Sequence, residues 1–352
     1  MRSAGLPAPV CVEWADLIQN PELLQAFDAC DLVRIDSFGE DQHVGEQLIR
    51  RGATRPAGPP LLFGEVRHID TTYRGLSELL NSFHTAKHRW SNSPSDIVTM
   101  FDKWESHRQL ANSTTRPATH LLTEADRHRP AIESLKALDV GDRVFVKPRY
   151  GSSASGVCAI ERCRHGHRVI APIEIADFDA ALGRRRLFNS LRIRSYTDPD
   201  DIETILRPLI AEHVVVESWI PKAELDGRKF DLRIVVIAGK ARHTVIRASR
   251  YPMTNLHLGN KRGDSASFRR RFGNAAKQAC ETMAERAAAC FEDSLVVGVD
   301  VLLDVHLEPF IVEVNAFGDL LPGIVNQGQS TSEACVEAMI ATVTQTRTTA
   351  NT

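Results

Sequence analysis

Hydrophobic and polar positions along this 352-residue chain fall into three textures. In the first hundred residues, short apolar runs at 9–13 and 32–35 lead into helix-like stretches at 21–27 and 40–51. Alternation of that kind predicts a small parallel sheet with its connecting helices. A Pro/Gly-rich connection follows at 53–64. Leu76, Leu79, Leu80 and Phe83 then recur at helical spacing within 72–88. The second texture is mixed. Asp102, with Glu105 three residues on, has the form of a capping box; the helix it starts runs through residue 111 and carries Lys103 in its first turn. A strand-like 119–122 and a helix over 124–138 come next.

From residue 143 strands dominate. They are expected at 144–146, 156–160, 168–172 and 187–194, then, after a helix at 199–210, at 214–216. Stretches 230–238 and 241–248 read as a hairpin turning at Ala238-Gly239-Lys240. An amphipathic helix over 268–290, strands at 296–303 and 310–314, and a helix at 332–344 complete the pattern. The polar tail 345–352 is expected to be disordered. The expected organisation is an N-terminal unit (1–95), a central unit (96–213), a C-terminal unit (214–344) and the tail.

Composition changes this picture little. A formal net charge of −2 gives no push toward nucleic acid or an anionic membrane. No apolar run approaches the roughly 18–20 residues of a membrane-spanning helix, and no signal-peptide stretch opens the chain, so a cytoplasmic location is expected. The seven cysteines are scattered without a C-x-x-C pair, which reads as reduced core thiols in a reducing compartment. Cys158, Cys163, His165 and His167 mimic metal-ligand spacing, but the segment reads better as a hairpin with a basic turn.

Four stretches carry candidate chemistry. In the first, the apolar run Val144-Phe145-Val146 ends in Lys147. Gly151, Ser152, Ser153, Ala154, Ser155 and Gly156 follow before the next strand. Small residues let backbone N–H groups close over phosphate oxygens, and a lysine adds a point charge; an ordinary mobile turn has the same composition. No Gly-Lys-Ser/Thr follows the glycines, so this is not a P-loop. In the second, Asp300 lies on one strand, and Glu313 and Asn315 share a face of the next. Hard oxygen donors so grouped suit magnesium bridging phosphates; a solvated strand face is the alternative. The third runs from Val214 through Glu217, Ser218, Trp219 and Ile220 to Asp231 and Arg233, a strand leading into an extended linker that can offer backbone groups to adenine and an acid to ribose. Arg233 and Arg247, on neighbouring strands, could meet a polyphosphate. The fourth, 254–263 with Asn255, reads as a polar loop over a site or as an ordinary surface loop.

The order of these stretches resembles the ATP-grasp superfamily, in particular the ribosomal-protein glutamate ligase and the prokaryotic glutathione synthetase, over about 98–323 and more loosely over the N-terminal unit. The resemblance implies an α/β (α+β) fold in which two α+β subdomains clasp ATP behind a short pre-ATP-grasp α/β domain. It implies that Lys103 and Lys147 reach the nucleotide phosphates and that Gly151–Gly156 folds over them. Glu217 to Ile220 would be the adenine hinge, and Asp231 the acid near the ribose. Arg233, Arg247 and Asn255 would surround the transferred phosphate, and Asp300, Glu313 and Asn315 would bind two magnesium ions, or manganese in their place. The reaction implied joins a small-molecule or peptide carboxylate to an amine or thiol through an acyl phosphate; a homodimer is the family default. A small-molecule kinase and a non-catalytic ATP-binding regulator share the fold and stay open.

Three departures bear on substrate and extent. The loop Ala316-Phe317-Gly318-Asp319-Leu320-Leu321-Pro322 lacks the early proline of the better-known ligases, and the hinge carries Lys222-Ala223-Glu224. The N-terminal unit is expected to be short, beginning where the second strand of such a domain would lie: either the first strand is missing or the gene start is placed too late. Together, 33–40 and Asn315-Ala316-Phe317-Gly318-Asp319 also resemble a bacterial ATP-grasp subgroup of unassigned substrate. Arg184, Arg185 and Arg186, with Arg192, Arg194 and Arg250, would suit an anionic substrate or simply form a solvated basic surface.

Overall fold

The computed structural model describes residues 7–350 apart from 40, 55–57, 84–86, 124–125, 127, 139, 152 and 318–320, with side chains to 345. Two antiparallel sheets dominate it. The first has the order β1 (Thr119–Leu121), β6 (Val214–Ser218), β2 (Arg143–Pro148), β3 (Cys158–Cys163), β4 (Gly166–Asp179), β5 (Arg184–Tyr196). Helices α6 (Ala131–Lys136) and α7 (Pro199–Ala211) cover one of its faces, burying Val144, Val146, Ile205 and Leu206. The second runs β10 (Lys261–Arg262), β9 (Lys240–Ser249), β8 (Arg228–Ile237), β11 (Val296–Leu303), β12 (Pro309–Asn315), with β7 (Glu224–Leu225) beside β8.

The second sheet explains how the site is placed. Phe230, Leu232, Ile234 and Val236 of β8 alternate with Val297, Val299, Val301 and Leu303 of β11 on one face. There they meet α8 (Ser265–Ala288) and the N-terminal helices. The opposite face is divided. At one end Val235, Ile237, Val245 and Val296 are covered by α9 (Thr331–Ala350); at the other Asp231, Arg233, Arg247 and Asp300 face the cleft. Strand β12 carries a bulge: Val301 pairs with Ile311 but Asp300 with Glu313, leaving Val312 as the extra residue. This lets Ile311 and Val314, three apart, both enter the core while Val312 and Glu313 line the cleft.

Several expectations need correcting. The N-terminal parallel sheet is absent among the described residues. Residues 32–35 contribute one parallel bridge, Val33 to Trp90, too short to propagate a ladder, and 21–27 forms the 3-10 helix Pro21–Phe27. The region is instead helical: α1 (Trp14–Gln19), α2 (Gln42–Gly52) and α3 (Ile69–Ser82). Helices α2 and α3 cross very closely. A Cβ on Gly75 would lie 2.0 Å from the Leu48 carbonyl oxygen, and one on Gly52 2.2 Å from that of Thr71, so only glycine fits at either contact. The helix over 124–138 shrinks to α6, with 124–125 and 127 outside the described residues. The closing helix extends to Ala350 through residues that include no helix breaker, so disorder from 345 is not seen up to that point.

Candidate active site

Helix α4 (Pro94–Phe101) leads directly into α5 (Lys103–Gln109). The Asp102 carboxylate accepts from the N–H groups of Trp104 and Glu105 and so caps α5. It also receives the Arg149 guanidinium, at 2.8 and 2.6 Å. The expected N-cap is present, and the same carboxylate ties α5 to the end of β2. Lys103 N–H donates to the Arg149 carbonyl at 2.9 Å. Its ammonium then reaches the Gly151 carbonyl at 2.7 Å and Glu313 Oε1 at 3.3 Å, touching both halves of the cleft.

On β2 the alternation that buries Val144 and Val146 turns Phe145 and Lys147 toward the cleft. Lys147 Nζ meets Glu217 Oε1, on the neighbouring β6, at 2.7 Å, both side chains nearly buried. On the other sheet the ions form an alternating chain. Lys222 donates to Asp231 Oδ2 (3.2 Å) and to Thr254 (2.9 Å). Asp231 Oδ1 receives Arg247 Nε at 2.7 Å. Arg247 reaches Asp300 Oδ2 at 3.1 Å, and Arg233 clasps both Asp300 oxygens. Burial alone would raise the pKa of Asp231. The adjacent Arg247 and Lys222 charges instead hold it well below the carboxylate range. Asp300 is likewise held down, against burial, by Arg233 and Arg247. Burial lowers the Lys222 pKa against the pull of Asp231. A buried carboxylate stays ionised when close cations outweigh its desolvation.

Lys103, Lys147, Glu217, Ile220, Asp231, Arg247, Asn255, Asp300 and Glu313 therefore line one cleft. Phe145, Val157, Met253, Leu302 and Val312 give it an apolar wall. Its free volume is about 100 Å³, small because its charged groups already hold one another. A larger groove of about 700 Å³, bordered by Trp90, Phe291 and Leu295, shares none of these residues.

The other candidates fall around this cleft. Trp219 packs on Phe145, ring centroids 5.2 Å apart, with Arg143 over its ring. The Ser218 N–H is taken by the Ala118 carbonyl. Gly156 faces away from the cleft: a Cβ there would press on Pro148, Leu209 and Val66. Ser153 takes a left-handed conformation (φ 58), as does Ala154 (φ 60), which is uncommon without glycine. Ser152 lies outside the described residues. Asn255 Oδ1 accepts from His257 N–H at 3.0 Å, capping a short turn.

Among the described residues no three His, Cys, Asp or Glu side chains gather as a metal set, so an ion here would also need Asn315. The donors fit. Asp300 and Glu313 are register partners, and the Asn315 amide nitrogen is buried without a hydrogen-bond partner. A half-turn of that amide presents its oxygen at the same place.

Lys222 and Arg149 were not legible as site residues, and Thr254 only as the first residue of the polar loop 254–263. Lys222 sits in what reads as an exposed hinge, where lysine is normally solvated. The arginine run also reads differently in three dimensions: Arg186 is bound by Glu65 and Asp179, Arg185 lies 3.5 Å from Asp201, and Arg194 3.0 Å from Glu174. Much of the charge expected to attract an anionic substrate is neutralised locally. Cys163 and His167 stand across the β3–β4 hairpin, as its pattern suggested.

Two sheets closing on a cleft lined by lysines from one side and by acids and arginines from the other define an ATP-grasp fold. The chain belongs to the YheC/D-like ATP-grasp family, whose model matches residues 97–320. Among solved structures it is similar to D-cycloserine synthetase DcsG (TM-score 0.55, 12% identity, 97% of this chain and 91% of that one). It is also similar to the ATP complex of D-alanine–D-alanine ligase from Bacillus anthracis (TM-score 0.52, 12% identity, 93% and 84%). At such identities the likeness is one of fold. No curated protein matches the chain in sequence. Among the described residues no helix is long and apolar enough to cross a membrane.

Proposed function

We propose that this protein is an ATP- and magnesium-dependent ligase that joins a carboxylate to an amine, or to a thiol, through an acyl phosphate. The observation that carries this reading is the convergence of Lys103 and Lys147 from one half with Arg233, Arg247, Asp300 and Glu313 from the other at a single cleft with an apolar wall. The apolar wall would take the adenine, the lysines the phosphates, and Glu217 to Ile220 the hinge. A substrate carboxylate oxygen would attack the γ-phosphorus, and the bond to the β-phosphate oxygen would break to release ADP. The nucleophile would then attack the acyl carbon, and inorganic phosphate would leave. The guanidinium groups of Arg233 and Arg247 would stabilise charge on the transferred group. Magnesium, held by Asp300, Glu313 and Asn315, would offset the charge of the β- and γ-phosphates when bound. No protein nucleophile is needed. Residues 1–95, 96–213 and 214–344 would serve as an N-terminal domain and the two clasping halves.

ADP release with ATP and magnesium, across a panel of amino acids and short peptides with and without hydroxylamine, tests this. ADP that depends on one carboxylate, together with its hydroxamate, is expected. ADP without hydroxamate would point to phosphorylation of a hydroxyl. Nucleotide binding without ADP for any pair would point to a regulatory protein.

A further inference from the structure

Of the three groups expected to hold the metal, Asp300 is the one already spoken for. Its side chain is 6% exposed. Arg233 grips both oxygens, and Arg247 adds a third contact at 3.1 Å. Glu313 is less engaged, with one oxygen 3.3 Å from Lys103, and the Asn315 amide has an unpaired buried end. A small divalent cation needs carboxylate oxygen at close range, so it cannot join Asp300 while the guanidinium fork stays. Nor can the fork simply withdraw, because a buried arginine parted from its carboxylate is strongly unfavourable unless another anion receives it. The nucleotide's phosphates are such an anion, arriving from the Lys103–Lys147 side of the same cleft.

We propose that Arg233 is a cation placeholder on Asp300, so that metal and nucleotide load together by exchange of partners and the protein holds little free divalent cation in the absence of nucleotide. This rests on the metal reading above and adds to it a position for Arg233: seated on the metal's own ligand in the resting protein, and delivered to the phosphates when the metal takes its seat. The exchange is between salt-bridge partners only, with no change of covalent bonds.

The test is a titration of the intact protein with Mn²⁺, free ion followed by electron paramagnetic resonance, alone and with a non-hydrolysable ATP analogue, the analogue's own Mn²⁺ binding being measured without protein and subtracted. For the wild-type chain, Mn²⁺ affinity is expected to rise by about tenfold or more when the analogue is present, a coupling of ordinary size between linked sites. Arg233→Met is expected to bind Mn²⁺ without nucleotide about tenfold more tightly than the wild type and to lose most of that coupling. Arg233→Lys, which keeps the charge but loses the fork, should fall between them and guards against a misfolded methionine variant. Equal Mn²⁺ affinity with and without the analogue in the wild-type chain overturns the placeholder while leaving the metal site standing. No Mn²⁺ binding even with bound analogue overturns the metal reading and the placeholder with it. The wild-type comparison needs no variant.

Discussion

At the scale of single residues, the cleft uses each charge twice. Asp102 caps a helix and orients Arg149; Asp231 joins Lys222, Thr254 and Arg247. Glu313 is different, since it is part-exposed and its one ion pair among the described residues is with Lys103. Without it Lys103 keeps the Gly151 carbonyl as a partner, so the loss is about 1 kcal/mol. Glu313→Ala should therefore leave the thermal midpoint within a few degrees of the wild type while abolishing turnover in the ADP-release assay. Retained activity would remove Glu313 from the proposed metal set. Lys147 and Glu217 were legible because each follows an apolar run, Val144-Phe145-Val146 or Val214-Val215-Val216, where a strand leads into a loop. Lys222 was not, because nothing in a Pro-Lys-Ala hinge tells that a strand edge will close over it.

At the scale of elements, the β12 bulge decides what the sequence alone could not. Regular two-residue alternation puts Ile311, Glu313 and Asn315 on one face, in conflict with burial of both Ile311 and Val314. The extra residue at 312 resolves the conflict. Deleting Val312 should leave Ile311 and Val314 in the core and Glu313 in the cleft by regular alternation, with Ile311 still opposite Val301 and Glu313 opposite Asp300. The deletion variant is expected to fold with a urea midpoint close to that of the wild type, and to lose the apolar side chain that Val312 gives the cleft. Val312→Ala keeps the bulge and should unfold at nearly the wild-type urea midpoint while binding nucleotide more weakly. Loss of the fold on deletion would mean that the bulge itself is needed to hold β12 in place. The N-terminal sheet failed for a related reason: residues 32–35 have strand composition, but only residues 89–91 are beside them to pair. Most strands from 143 onward lie close to where hydrophobic pattern put them, because each of those runs has a long strand beside it to pair with.

For the molecule as a whole, one histidine couples stability to pH. His107, on α5, stacks on Trp104 and accepts the Arg116 Nε–H at its carbonyl. Burial, with Arg116 and His120 nearby, brings its pKa down from 6.5 to about 4. Unfolded chains would take up this proton as pH falls through 6.5, folded chains only near 4. The group's contribution to stability is therefore intact above 6.5 and lost progressively down to about 4. Urea midpoints at pH 7, 5.5 and 4.5 should fall more steeply for the wild type than for His107→Gln. Parallel slopes would assign the acid sensitivity to other groups. Asp231 and Asp300, both depressed, lose their contribution as pH falls from the ordinary carboxylate value through their lower folded ones, so their window lies mostly below that of His107.

Asn92 bonds from its buried side chain to the Val296 and Ala316 carbonyls at 2.7 and 2.6 Å and accepts the Val296 N–H at 3.1 Å. It stands just ahead of the helices that bring Lys103 to the cleft, yet its partners lie 204 and 224 positions along the chain. During synthesis at roughly 5–20 residues per second, this early segment must wait on the order of ten seconds or more with its amide unmatched while both sheets emerge. The helices that would bring a lysine to the nucleotide are thus among the first parts translated while the amide ahead of them is satisfied late, and a ribosome stalled before residue 296 holds a chain in which that amide has neither of its backbone partners.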